Sequence, residues 1–489
     1  MRRLLPWSLF LLSSTLLLAA GCPSSGGDDD DTGIDDDDAG DDDDATPPGG
    51  CGWPDGGADG AASISPGSPV VLDTQQSQAM NTLDLEFDGP LSPMASQTLA
   101  VGPCGDAGLL MFRDGQSVLA FVDPVAGGTP EDVGPNSSPF SGALLYDADC
   151  AALILSPTSA TEITEYTREG PGSWSSAAAL ANASPVLGEE PSFMTVFDAG
   201  PGADGRLYLF VAASVSDGTA WMRGARDADA GATWTFEEIE FLGASEMYDM
   251  AVGPTGETAA VYKNTQYPCD PCDVDFYLGL LASPGDSWSS EVVQPGKWGD
   301  PNDEFVEAAS VAFGPGGQPY IAAHFGERVI TGSYVATELR IYGEADGDWC
   351  AEVVADANDG YEGTDGGTFT GADPQLVVDG EGRMHVAYRD QAIWHDGNNW
   401  QNEIRGQIRY AVRAGHTWSS ATLLTQPGQT ASGNPLIGVG APLLAVSSDG
   451  SEVIAAGVAF EWETDSIYNK GEYPVTLEAV AVPTAVSNP

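Results

Sequence analysis

One pattern recurs seven times along the chain. An apolar run leads into a short turn rich in Gly, Asp and Ser, and a second apolar run follows. The seven copies are TLAVGPCGDAGLLMF, ALLYDADCAALIL, FDAGPGADGRLYLFVAA, MAVGPTGETAAVY, SVAFGPGGQPYIAA, LVVDGEGRMHVAY and LLAVSSDGSEVIAAGV. Their turns centre on Gly105, Cys150, Gly205, Gly256, Gly317, Gly382 and Gly450. Glycine takes positive φ at little steric cost, which suits a tight hairpin. The copies follow one another at roughly 45 to 70 residues, the spacing of repeat architectures whose units cannot bury both faces alone.

Each unit has a second half. In Asp373 to Leu424 the apolar runs Leu376–Val378, Met384–Tyr388, Ile408–Val412 and Ala421–Leu424 read as four short strands. Trp174, Trp234, Trp288, Trp349 and Trp418 stand at one phase, each after a polar turn and before a short strand such as SSEVV or CAEVV. A Trp repeated at one phase argues for a shared structural slot. Four antiparallel strands per unit describe a blade, so the fold class is all-β, a β-propeller. The count is seven blades, with six or eight as alternatives because the first unit is the least regular. The last unit is one strand short. An N-terminal strand, Pro69 to Leu72 or Leu83 to Phe87, would complete it and remove the open edges.

Asp227-Ala228-Asp229-Ala230-Gly231-Ala232-Thr233-Trp234 resembles the Asp box of sialidases and related propellers, S-x-D-x-G-x-T-W, with Asp in place of the leading Ser. The other four Trp sites are degenerate forms. The resemblance implies a propeller in which Asp227, Asp229, Gly231, Thr233 and Trp234 are folding residues on the turn between third and fourth strands. It implies fold far more than activity. Sialidase chemistry uses three arginines, a Tyr nucleophile activated by a Glu, and an acidic general acid/base. The Arg-Ile-Pro signature of that family is absent, and Arg328, Arg389 and Arg405 are the arginines in or beside the variable segments.

The N-terminus reads MRRLLPWSLFLLSSTLLLAAGC. Arg2 and Arg3 precede the apolar run Leu4 to Leu18, which is short for a membrane span and has the layout of a signal peptide. Leu18-Ala19-Ala20-Gly21-Cys22 resembles the lipobox of bacterial lipoproteins, which implies that Cys22 carries the lipid. Pro23 follows it, so outer-membrane anchoring is the expectation, facing the periplasm or the cell surface. Three Asp tetrads, at Asp28–Asp31, Asp35–Asp38 and Asp41–Asp44, lie among Gly, Ser, Thr and Pro. They repel one another and have almost nothing apolar to pack, so they read as an extended disordered tether. They lack the alternating ligands of an EF-hand loop. The expected division is a signal peptide at 1–21, a lipidated tether at 22–60 and the propeller at 61–489.

Charge narrows the partners. The chain carries 17 Lys and Arg against 73 Asp and Glu, a net −56. Phosphate binding needs clustered cations, and none is visible, so nucleic acid is not an expected partner. Seven Cys are present. With Cys22 lipidated, six are left, an even number in an exported chain. Cys269 with Cys272 closes a local loop, Cys104 with Cys150 joins equivalent turns of adjacent units, and Cys51 is left with Cys350. No helical βαβ context supports a redox C-x-x-C, and no nearby His supports zinc; neither a metal nor a cofactor is expected.

In a blade, the loop between strands two and three shares a face with the connection to the next blade. The long segments of this chain fall there: Asn264–Asp275, Gly326–Ala336, Asp390–Gly406 and Glu463–Tyr473, with the connections Gln294–Glu307 and Asp356–Asp373. With their immediate flanks they carry Trp298, Tyr361, Trp394, His395, Trp400, Trp462 and Tyr468 among acids and amides. Such groups suit sugar faces and hydroxyls, and they are the expected ligand contacts; equally, loop aromatics pack onto a propeller rim. His385, inside an apolar strand, reads as core. The expectation is a monomeric envelope lipoprotein that binds a glycan or an envelope protein, with a sialidase-like glycosidase or lyase as the alternative.

Overall fold

In the computed structural model the seven hairpin units each gain two further strands and form seven four-stranded antiparallel sheets. The described residues are 51, 53 and 62–486, apart from 79–97, 114–117, 138–140, 203, 217, 230–232, 240–245, 255, 266–271, 282–286, 296, 299–301, 330–333, 346, 357–367, 397–398, 426–438, 448, 461–471 and 483. The signal-peptide and tether residues through Gly50 lie outside them, and so does Leu83–Phe87.

Blade 1 consists of Leu99–Val101, Ala107–Arg113, Val118–Val122 and Glu131–Pro135. Blade 2 is Ala143–Tyr146, Ala152–Pro157, Ile163–Gly170 and Ser173–Leu180. Blade 3 is Phe193–Pro201, Arg206–Val215, Gly218–Asp227 and Thr235–Ile239. Blade 4 is Glu246–Val252, Thr258–Thr265, Cys272–Leu281 and Ser289–Gln294. Blade 5 is Asn302–Phe313, Pro319–Val329, Tyr334–Ala345 and Asp348–Ala355. Blade 6 is Thr368–Val378, Met384–Asp396, Asn399–Ala414 and Thr417–Thr425. Blade 7 is Val439–Val446, Val453–Phe460 and Glu472–Ala481, and its fourth strand is Val70–Gln78. The first strand of each blade neighbours the first strand of the next, and that of blade 7 neighbours that of blade 1. The sheets therefore form a closed seven-bladed propeller. Val70–Gln78 supplies the missing strand, pairing Val70 with Ala479 and Gln78 with Glu472. Ala62–Ile64 adds a second tie by pairing with Thr484–Val486.

The seven turns share one conformation. In each, the central residue lies at a φ between +66° and +89° and donates its N–H to the carbonyl three residues back, at 2.8–3.2 Å. Six of these residues are Gly. The seventh is Cys150, which holds the same left-handed conformation while disulfide-bonded to Cys104 of the neighbouring turn, Cα to Cα 6.0 Å. The cross-link sits where glycine would otherwise be favoured. Cys51 and Cys350 are the other disulfide, so both of those pairings hold. Cys269 and the side chain of Cys272 lie outside the described residues.

Apolar side chains from both faces of each blade fill the spaces between blades. Ionic knots tie three described seams. Arg168 of blade 2 forks the Glu131 carboxylate of blade 1 through Nε at 3.2 Å and Nη2 at 2.7 Å. Burial opposes that charge, but the Arg168 bonds outweigh it and hold Glu131 below the usual carboxylate range. Arg226 and Trp234 of blade 3 both reach Glu165 of blade 2, the indole Nε1 donating at 2.6 Å. Arg413 of blade 6 grips Glu352 of blade 5 at 3.0 and 3.1 Å, and Trp418 Nε1 donates to the same carboxylate at 3.0 Å. Between blades 4 and 5 the arrangement differs. Opposite Trp349 the third strand carries Glu344, where the corresponding residue facing Trp418 is Arg413. Burial, and next the charge of Glu344, push the Glu291 carboxyl of blade 4 upward.

The buried knot is testable. Arg413 has a side-chain exposure of 1%. Glu352→Ala would leave this guanidinium buried without its carboxylate, and removing one partner of such a pair costs roughly 3–5 kcal/mol. Urea unfolding should show that loss, with Arg206→Ala, on an exposed pair with Asp227, as the mild control.

Candidate functional site

The second and third strands differ in length around the ring and are longest in blade 6. In blade 1 they have 7 and 5 residues, and in blade 6 they have 13 and 16. The extra length lies on the face that carries the blade-to-blade connections. Asp390–Gly406 is thus not the loop expected from its polar composition. The hairpin register runs on through it, Asp390 with Gln407, Ile393 with Ile404, Trp394 with Glu403 and Asp396 with Asn399. Main-chain pairing, once set by the apolar core of a hairpin, continues through polar residues because each added pair satisfies its own N–H and C=O groups. The signal was present: Asp396-Gly397-Asn398-Asn399 is hairpin-turn chemistry. Blade 5 extends likewise, Asp303 with Arg328 and Arg328 with Tyr334.

The expected ligand residues fall on these extensions in part. Trp394, His395 and Trp400 occupy the two arms of the blade 6 hairpin near its tip. Trp298 lies on a two-residue strand paired with Cys272 at the edge of blade 4, two blades away. The side chains of all four lie outside the described residues, as do Tyr361, Trp462 and Tyr468 entirely. Of the three loop arginines, Arg389 is described in full and pairs with Asp373 at 2.9 Å; Arg328 and Arg405 are described in backbone only. Arg223, Arg226 and Arg413 are committed to seams and buried.

Trp234 is buried, and Arg226 Nη1 donates to the carbonyls of Asp227 at 3.2 Å and Asp229 at 3.0 Å. The Asp229 side chain is exposed, Thr233 is exposed, and Gly231 lies outside the described residues. His385 sits in the core as expected, between Tyr410 Oη at 2.7 Å and the Asp379 carboxylate at 3.2 Å.

Around the axis, the first strands of blades 3 to 7 each break register once or twice. A bulge re-aims the side chain beside it. Asp198 follows the bulge of blade 3, and Asp249 that of blade 4. Asp249 accepts from Met250 N at 2.9 Å, Val311 N at 2.8 Å and Ser310 Oγ at 2.9 Å; Ser310 Oγ in turn accepts from Leu376 N at 3.2 Å. One carboxylate thereby links the first strands of blades 4, 5 and 6. Asp198 lies close enough to feel its charge. Burial, and then Asp249, push the Asp198 carboxyl well above the usual range. Burial likewise pushes Asp249 up to about 6 against its three donors. Both lie deep in the molecule yet keep some solvent exposure, as groups facing an axial channel do.

Beside this network, blade 6 holds strained backbone. Gly371 has φ +90° and Asp373 has φ +50°. A Cβ on Gly371 would fall 2.8 Å from the backbone of Leu339, so glycine is required there. The bend aims the Asp373 carboxylate at Arg389. His324 of blade 5 is buried behind the pair. Burial drives its pKa down to about 4, Asp373 opposing and Arg389 assisting, so its imidazole is neutral at pH 7. A non-Gly residue at positive φ in an inner strand is the kind of strain that concentrates at working sites. The arrangement can donate and accept hydrogen bonds, and it sets two carboxyls near enough for Asp198 to feel the charge of Asp249. Among the described residues no group of three or more His, Cys, Asp or Glu is placed to hold a metal.

The axial residues were missed by sequence reading, although a signal existed. The residue four before the start of each turn is Thr98, Ala143, Asp198, Asp249, Ser310, Gln375 or Leu443. Five of the seven are polar in otherwise apolar strands, which marks a ring of polar positions around one axis.

No protein-family model matches the sequence, and no curated protein sequence matches it. Solved structures that resemble the fold include an ulvan lyase, a polysaccharide lyase (10% identity, 82% of this chain and 95% of that one, TM-score 0.41). Another is an α-L-arabinanase of Penicillium chrysogenum complexed with arabinobiose (12%, 84% and 98%, TM-score 0.36). A third is a protein of unknown function from Dyadobacter fermentans (12%, 78% and 98%, TM-score 0.38). At these values the likeness is one of architecture, and the propeller itself is read from strand pairing.

The carboxylate pair sets a pH dependence. Its folded pKa values lie above the unfolded one, near 3.9. The native state therefore binds more protons than the unfolded chain between about pH 4 and 6, and the pair's contribution to stability falls as pH rises through that window. Asp198→Asn keeps the acceptor for Ala199 N, at 2.7 Å in the wild type, and removes the repulsion. Its Tm should match wild type near pH 4 and exceed it by about 2–4 °C at pH 7. Scanning calorimetry across that range checks this; a difference independent of pH would contradict it.

Proposed function

We propose that the chain is an envelope-anchored lipoprotein whose propeller binds a glycan or a protein partner through the face built by the long hairpins of blades 4 to 6. The observation that carries this reading is the blade 6 hairpin, whose paired arms run from Gln391–Gly406 to Asp396–Asn399 and bear Trp394, His395 and Trp400. Six residues of strand reach about 20 Å. A hairpin of that length carries aromatic and amide residues at paired backbone positions, and such residue types suit sugar or peptide recognition. The lipobox ending in Cys22 and the Asp-rich stretch behind it motivate the anchoring. In the same reading Asp227–Trp234 is an Asp box with a folding role.

A second reading rests on Asp198 and Asp249. Two neighbouring carboxyls, both raised above the usual carboxylate range, are the kind of pair that serves as acid and base in glycoside hydrolysis. A glycosidase or lyase acting on extracellular glycans is the alternative on that ground.

Binding and turnover separate the two. Purified protein on a glycan array, and in pull-down from envelope extract, should yield a ligand. Trp394→Ala and Trp400→Ala should each weaken its binding tenfold or more, about 1.4 kcal/mol or above, at unchanged Tm. Retained affinity in both variants would remove the hairpin from the site. Hydrolysis of fluorogenic glycosides that is abolished by Asp249→Asn would select the enzyme. Protease shaving of intact cells tests display: release of the propeller places it outside, and full protection places it within.

A further inference from the structure

Cys51 and Trp53 lie in the stretch whose composition reads as tether, yet both are buried in the propeller. Cys51 is disulfide-bonded to Cys350 on the outer strand of blade 5. Its N–H donates to Glu352 Oε1 at 3.3 Å, the same carboxylate that Arg413 and Trp418 hold. Trp53 is 2% exposed. It packs edge-on against Tyr320 with ring centroids 5.7 Å apart, and the Arg413 guanidinium lies 5.2 Å over its ring. Blade 5 has a seat for it: a Cβ on Gly343 would come within 2.8 Å of the indole. Two residues thus join a disulfide, a charge-assisted knot and an aromatic slot at the seam of blades 5 and 6. The strand that closes the ring, Val70–Gln78, comes later in the chain and belongs to blade 7.

We infer that the Cys51–Trp53 clasp is a strain relief: it takes tension arriving along the N-terminal segment into blade 5 and keeps it off the closing strand. Val70–Gln78 is an outer strand with one neighbour, the third strand of blade 7. Tension on its N-terminal end would open its hydrogen bonds one after another. The other described ties between the clasp and that strand are the three-residue pairing of Ala62–Ile64 and the bond from Gly67 N to the Ala481 carbonyl at 2.9 Å. With the disulfide closed, tension passes through a covalent bond to Cys350 and on through Glu352 to Arg413. The chain between residue 53 and the closing strand then carries none of it. The role is useful for a tethered propeller and so rests on the anchoring reading, but the mechanics are a property of the fold and are measured without a membrane.

The test is an optical-tweezers pull on the full chain, with one handle at the N-terminus and one on an azido amino acid replacing Ser216, an exposed residue of blade 3. For the oxidised wild type, the chain ahead of Cys51 should extend and nothing more until the propeller itself ruptures. For C51S/C350S an additional step should occur at lower force, as residues from 51 to the start of blade 1 are released, each adding at most about 3.6 Å. Should that variant not fold, wild-type protein folded and then reduced in the flow cell replaces it. Cys104–Cys150 lies beyond the released stretch and adds no length to the step. Equal first steps with the disulfide closed and open would overturn the inference. Loss of cell anchoring with the step intact would instead remove the anchoring reading and leave the clasp.

Discussion

The pairing of Val70–Gln78 with the third strand of blade 7 is the interaction on which the architecture depends. Six of the sheets are complete within contiguous chain. The seventh is not, and without the borrowed strand its outer edge would expose a row of unpaired backbone groups. Closing the ring with one end of the chain also fixes the relative positions of all seven first strands, since each neighbours two others. The axial network inherits its geometry from that closure: Asp249 can receive donors from blade 5, and Ser310 from blade 6, because the ring leaves those strands no freedom to slide.

Much of this was legible in the sequence, for a local reason. The seven turns need a residue at positive φ, and glycine announces such positions at six of them; Cys150 announces the seventh only through its partner. The Trp of the fourth strand repeats because an inter-blade slot repeats. What could not be read was anything joining different blades. Nothing near Glu352 in the chain points to Arg413, and nothing near Asp198 points to Asp249. Both pairs exist because the ring brings distant units side by side. The hairpin of blade 6 was read as a loop since polar composition outweighed the turn signal at its tip.

The chain spends its scarce cations mainly on architecture. Arg168, Arg226 and Arg413 tie seams, and Arg223 joins blade 3 to the Gly256 carbonyl and Thr258 of blade 4 while contacting Glu237. Burying a guanidinium is costly unless its hydrogen bonds are met, which explains why each is matched to a carboxylate. Arg389 is different. It belongs to an inner, elaborated part of blade 6, its partner Asp373 sits on strained backbone, and both keep partial solvent access. In a molecule of net charge −56, it is a cation outside the seams.

The presence of Glu344 at the seam of blades 4 and 5 makes the ring electrostatically uneven. Where blades 5 and 6 meet, a guanidinium neutralises the facing carboxylate. Where blades 4 and 5 meet, two carboxylates oppose each other and gain ease only as one of them takes up a proton. That repulsion is strongest in low-salt water with both groups ionised and weakens as protons or screening ions accumulate. The seams of the ring therefore answer differently to the ionic composition of the surrounding medium.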